Sequence, residues 1–127
     1  MTVKIVLDAN FLMLPHAKKL DVFSELARLF TGEHELLTLT SVVRELEGIS
    51  RGSSAAAAAA GTALKLIAAK GVSVVESRGP TDEAIVDYAI RSGKTLVATN
   101  DRRLKRKLKS SGVKTVSLLG EDKLIVA

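Results

Sequence analysis

Apolar positions along the chain follow two alternating rhythms. Short runs of β-branched and aliphatic residues, the first being Val3-Lys4-Ile5-Val6-Leu7, read as strands at 3–7, 36–40, 72–75, 95–98 and 113–118, with 124–126 a short last one. Between them, apolar residues recur at spacings of three and four, as on a helix that buries one face. Leu20, Phe23, Leu26, Ala27 and Phe30 mark a helix over about 18–30, and Gly32 ends it. Thr40 or Ser41 is the expected N-cap of a second helix through Val42, Val43, Leu46 and Ile49. A third covers the alanine-rich stretch 55–69, with Gly71 as its stop; a mobile lid is the alternative there, since Gly52 and Gly61 flank the alanine run. A fourth starts at Gly79-Pro80-Thr81 and carries Ile85, Tyr88, Ala89 and Ile90, and a fifth runs from about Asp101 to Lys109 on Leu104 and Leu108. Phe11 to Leu14 reads as an apolar turn closed by Pro15, and 48–54 as a flexible loop rich in Gly and Ser.

Strands alternating with helices at these spacings predict an α/β fold with a mainly parallel sheet and helices on both faces. A chain of 127 residues, 46% of them hydrophobic, holds one domain, 1–127, with a real core. Without cysteine there is no disulfide framework and no thiolate metal site, and His16 and His34 cannot build a zinc site without several carboxylates. Any metal here is a hard cation held by oxygen. The N-terminus runs straight into a strand carrying Lys4 and Asp8, unlike a signal peptide, and no apolar run approaches a bilayer span. A soluble, intracellular and cytoplasmic protein is expected, with no membrane partner.

The formal charge of +5 is concentrated. Arg102, Arg103, Lys105, Arg106, Lys107 and Lys109 form one basic run, which leaves thirteen basic against fourteen acidic groups elsewhere. Such a patch is the footprint of a protein that meets phosphate backbones, and a solvated helix face is the plainer alternative.

The first strand ends abruptly on Asp8, followed two positions later by Asn10. In open α/β sheets, ligands bind beyond the C-terminal ends of the strands. Three further acids occupy equivalent junctions: Glu45, with Glu47 as its competitor, in the first turns after the second strand, Asp82 opening the helix after the third, and Asp101 after the fourth in Thr99-Asn100-Asp101. Each has a plainer reading, as a solvated glutamate or as a first-turn acid facing the helix dipole. Together they fit the chemistry of a divalent ion. Clustered carboxylates raise one another's pKa, and Mg²⁺ or Mn²⁺ relieves this while accepting phosphate oxygens and activating water. Asn10 is placed to steady Asp8, and Thr99 or Asn100 to steady Asp101, with ordinary turn chemistry as the alternative for all three. Glu83 and Asp87, one turn apart, face solvent.

Leu7-Asp8-Ala9-Asn10-Phe11-Leu12, Val43-Arg44-Glu45-Leu46, Asp82-Glu83-Ala84-Ile85 and Ala98-Thr99-Asn100-Asp101-Arg102-Arg103-Leu104 resemble the successive motifs of PIN-domain ribonucleases. The order and spacing of the four carry the resemblance more than any one of them. It implies a three-layer α/β/α sandwich whose acidic pocket binds Mg²⁺ or Mn²⁺ and cleaves single-stranded RNA, leaving 5′-phosphate and 3′-hydroxyl ends. The family's acids fall on Asp8, Glu45, Asp82 and Asp101, and its small polar residue on Asn10. Within the family, Phe11 to Pro15 and the basic run resemble the branch that processes ribosomal RNA in archaea and eukaryotes. The nearest rival is the toxin branch, paired with an antitoxin; a non-catalytic RNA-binding module of ribosome assembly is the alternative outside enzymes. A homodimer is plausible for the family.

Overall fold

The computed structural model describes residues 2–127. Six strands form one sheet: β1 (Val3–Leu7), β2 (His34–Leu39), β3 (Ser73–Val75), β4 (Thr95–Ala98), β5 (Thr115–Leu119) and β6 (Lys123–Val126), in the order β3-β2-β1-β4-β5-β6. All neighbours are parallel except β5 and β6, which are antiparallel. β1 lies at the centre, with Ile5 opposite Leu36 on one side and Leu96 on the other. The consecutive residues Ile5, Val6 and Leu7 are all fully buried, as are Val97 and Ala98, so these strands are covered on both faces. This is the expected α/β/α arrangement.

The helices are α1 (Ala9–Leu12), α2 (Leu14–Ala17), α3 (Val22–Leu29), α4 (Thr40–Ser50), α5 (Ala55–Ala69), α6 (Thr81–Arg91) and α7 (Arg102–Ser110). Strand order runs outward from β1 to β3 and then returns past β1 to β4 and β5. With right-handed crossovers, that reversal sends α1 to α5 to one face and α6 and α7 to the other. The contacts agree: α5 packs on α4, α2 and α1, and α6 packs on β4 and α7. Gly71, Gly93 and Gly112 end α5, α6 and α7 at positive φ (65°, 74° and 75°), where a side chain would be strained.

Four expectations are corrected. The Phe11–Leu14 segment is not a turn: α1 and α2 fill it, and Pro15 sits in the first turn of α2, where a missing N–H costs nothing. The helix expected over 18–30 is α3, which starts at Val22 because Asp21 accepts a hydrogen bond from the Ser24 N–H at 3.1 Å and fixes the start. Residues 48–50 continue α4, so the interhelical connection shrinks to 51–54. The N-cap of α4 is Leu39, which has no side-chain cap, while Thr40 and Ser41 bond elsewhere. The lid reading of 55–69 also gives way to a packed helix. Ala59, Ala60 and Ala63 are at most 1% exposed, and small side chains let α5 lie close against α4. Among the described residues, no helix is long and apolar enough to cross a membrane.

Candidate active site

At the C-terminal edge of the sheet the chain leaves β1 through Asp8, which is 6% exposed. Its backbone is anchored by two neighbours: the Asp8 N–H donates to the Ala98 carbonyl at 3.0 Å, and Thr38 of β2 donates its hydroxyl to the Leu7 carbonyl at 2.7 Å. The carboxylate is held at both oxygens. Oδ1 accepts the Ala9 N–H at 2.8 Å, capping α1, and Oδ2 accepts the Thr99 hydroxyl at 2.7 Å.

Asn10 acts on the same crossing from the other direction. Its Oδ1 accepts the Asn100 N–H at 3.0 Å and lies 3.4 Å from the Thr99 hydroxyl. A hydroxyl has one proton, and the shorter, charge-assisted bond to Asp8 takes it. The Thr99 oxygen in turn accepts the Asp101 N–H at 3.1 Å, and Asn100 Oδ1 accepts the Leu118 N–H of β5 at 2.8 Å. The expected division of labour is therefore changed. Thr99 directly steadies Asp8 as well as the Asp101 backbone, Asn10 fixes the loop after β4, and Asn100 ties that loop to β5.

Asp8 feels two of the other acids. Burial pushes the Asp8 carboxyl above its ordinary range; the bonds from Thr99 and Ala9 oppose this, and the charges of Glu45 and Asp82 add to it. Glu45 is exposed on α4, and Asp82 is half-buried in the first turn of α6, the helices that follow β2 and β3. Asp101 stands beside them through Thr99, with its Oδ1 accepting the N–H groups of Arg103 at 2.9 Å and Leu104 at 3.0 Å as the cap of α7. Glu83 and Asp87 are exposed, and Asp87 pairs with Arg91.

The donor chemistry of Asp8, Glu45 and Asp82 suits Mg²⁺ or Mn²⁺: every donor is a hard carboxylate oxygen, and a cation would offset the mutual repulsion registered at Asp8. Among the described residues, no three Asp, Glu or His side chains sit close enough to enclose an ion directly.

Sequence reasoning missed the polar joint beneath α4. The Ser77 N–H donates to Thr40 Oγ1 at 2.9 Å, the Ser41 N–H donates to Ser77 Oγ at 3.1 Å, and the hydroxyls of Ser41 and Ser77 bond each other. This joint binds the start of the helix carrying Glu45 to the segment that leads into Asp82. Thr40-Ser41 carries a visible N-cap signal, but nothing local points to Ser77 across more than thirty residues.

The domain model described as "PIN like domain" matches residues 5–121. In sequence, the chain is 37% identical over 123 residues to Ribonuclease VapC9 of Archaeoglobus fulgidus, covering 94% of this chain and 85% of that protein. It is 33% identical over 113 residues to Ribonuclease VapC4 of Methanocaldococcus jannaschii, covering 87% and 86%. In structure it matches the PIN domain endonuclease Utp24 with a TM-score of 0.80 and 23% identity, over 97% of this chain and 90% of that one.

Proposed function

Since the chain belongs to the PIN-like domain family, we propose that it is a metal-dependent endoribonuclease that cuts single-stranded RNA in the cytoplasm. The observation that carries this reading is Asp8, buried where the central strand ends, with both carboxylate oxygens held by the Ala9 N–H and the Thr99 hydroxyl. The two relatives that match in sequence are named as ribonucleases.

In this reading Asp8, Glu45 and Asp82 hold the ion, and Asp101 contributes through the carboxylate oxygen not occupied by its capping bonds. When bound, Mg²⁺ or Mn²⁺ supplies charge neutralisation at the phosphodiester and a water of lowered pKa. The chain itself orients the acids. Thr99 and the Ala9 N–H fix both oxygens of Asp8, and the Ser41–Ser77 joint fixes the base of α4. Purified protein supplied with Mn²⁺ should cut single-stranded RNA, and Asp8→Asn should abolish the cut; equal cleavage by both proteins rejects the reading.

For the cellular role, processing of ribosomal RNA is supported by the first and last motifs. A toxin-type ribonuclease held by an antitoxin is supported by the VapC relatives. Growth arrest on expression, relieved by a small co-expressed protein, selects the second; altered ribosomal RNA ends after depletion select the first.

A further inference from the structure

The six cations of α7 do not form one surface. Arg102, Lys105, Arg106 and Lys109 follow the i, i+3, i+4, i+7 spacing of a single helix face. They line a groove of about 270 Å³ with Thr115 and Ser117 of β5 and with Ala127, whose backbone exchanges two hydrogen bonds with Thr115. No acidic side chain is among those lining residues. Lys107 instead lines a separate cavity between α6 and α7, with Glu83 and Asp87, and Arg103 lines neither. The side chains on this face of α7 are thus set among cations and hydroxyls, whereas Lys107 shares its cavity with two acids.

We infer that the groove between α7 and β5 is the track for the RNA backbone beside the acidic edge, that it holds phosphates without reading bases, and that Arg103 and Lys107 stand outside it. The inference rests on RNA being the substrate. Its placement follows from α7 itself: Asp101 caps the helix at the acidic edge, and the four cations descend from there over about 10 Å, at 1.5 Å per residue. Guanidinium, ammonium and hydroxyl groups are the donors that phosphate oxygens accept. Indifference to sequence follows from what the lining lacks. Stacking on aromatic faces is how single strands engage bases, and the groove contains no aromatic side chain. Phe11 and Phe23 are in the core, and Tyr88 lies against Lys4.

The test is fluorescence anisotropy of labelled oligo(U), oligo(A) and oligo(C) in EDTA, over a salt series, which separates binding from cleavage. Two doublets that remove equal charge from exposed positions are compared: Arg106→Gln/Lys109→Gln in the groove and Arg103→Gln/Lys107→Gln outside it. Each lost phosphate contact lowers the salt slope by about 0.7 for a single strand. The groove doublet should therefore flatten the slope by about 1.4 and the other by less than half of that, with the three oligonucleotides binding alike. Equal losses in the two doublets, or an affinity for one oligonucleotide about tenfold above the others, overturns the track while leaving the RNA reading standing. Failure of the unaltered protein to bind any of the three overturns the track, and the RNA reading falls with it when the protein supplied with Mn²⁺ also leaves single-stranded RNA uncut.

Discussion

The hydroxyl of Thr99 lies 2.7 Å from Asp8 Oδ2, joining residues 91 positions apart in the chain. This bond works against the burial that drives the Asp8 carboxyl upward. Thr99→Val keeps the shape of the side chain and removes the donor. A hydrogen bond to a charged group contributes about 1.5–3 kcal/mol, so the variant should lose stability of that order at neutral pH. Its pH–rate profile should move to higher pH, because Asp8 holds its proton longer. Thr99→Ser should restore both, and urea titration with a pH series of cleavage rates measures them.

Asp8→Asn should abolish cleavage and yet stabilise the protein at neutral pH. The folded state raises the Asp8 pKa, so it binds this proton more readily than the unfolded chain does. Between the ordinary carboxylate value and the raised one, Asp8 therefore loses stability as pH rises, and Asn does not. The advantage of the variant should shrink as pH is lowered through that window, which thermal denaturation at several pH values resolves.

Metal binding should be visible without turnover. An ion at a hundred times its dissociation constant stabilises a protein by about 2.7 kcal/mol, roughly 10 °C in Tm for a domain of this size. Mn²⁺ should raise the Tm of the unaltered protein and leave that of Asp8→Asn unmoved. An equal rise in both places the ion elsewhere.

Asp101 has two roles that substitutions separate. Asp101→Ala removes the cap of α7 and should cost about 0.5–2 kcal/mol, whereas Asp101→Asn caps equally well. If Asp101 also serves the ion, Asp101→Asn should cut RNA at least tenfold more slowly with an unchanged Tm. Full activity in that variant confines Asp101 to capping.

Packing of α5 is tested at Ala63, which is fully buried. Ala63→Leu should destabilise by about 1–3 kcal/mol through overpacking against its neighbours. A mobile lid would accept the larger side chain with no change in Tm.

The alternation of strands and helices was legible because it depends on local periodicity, and the bounds of β1 and β4 could be read directly from 3–7 and 95–98. Gly71 marked the end of α5 because glycine takes a positive φ at little cost. Where the reading failed, one local signal concealed another. Pro15 looked like a terminator and is a helix starter, and Gly48 looked like a loop yet sits inside α4, where a glycine is tolerated at modest cost. In the site, the position of each acid followed from its strand end. The bond from Thr99 to Asp8 and the bond between Ser41 and Ser77 could not be read, since both depend on which strands become neighbours, and side-chain pattern alone does not encode that.

The central position of β1 sets an order of assembly during synthesis. The first strand to leave the ribosome is flanked on both sides only after β4, which begins at Thr95, has followed it. Until then Asp8 has neither the Ala98 carbonyl for its N–H nor the Thr99 hydroxyl for its carboxylate. A nascent chain can therefore carry three of its four acids outside the exit tunnel with no finished pocket, and the architecture delays any cutting power until the domain is nearly complete.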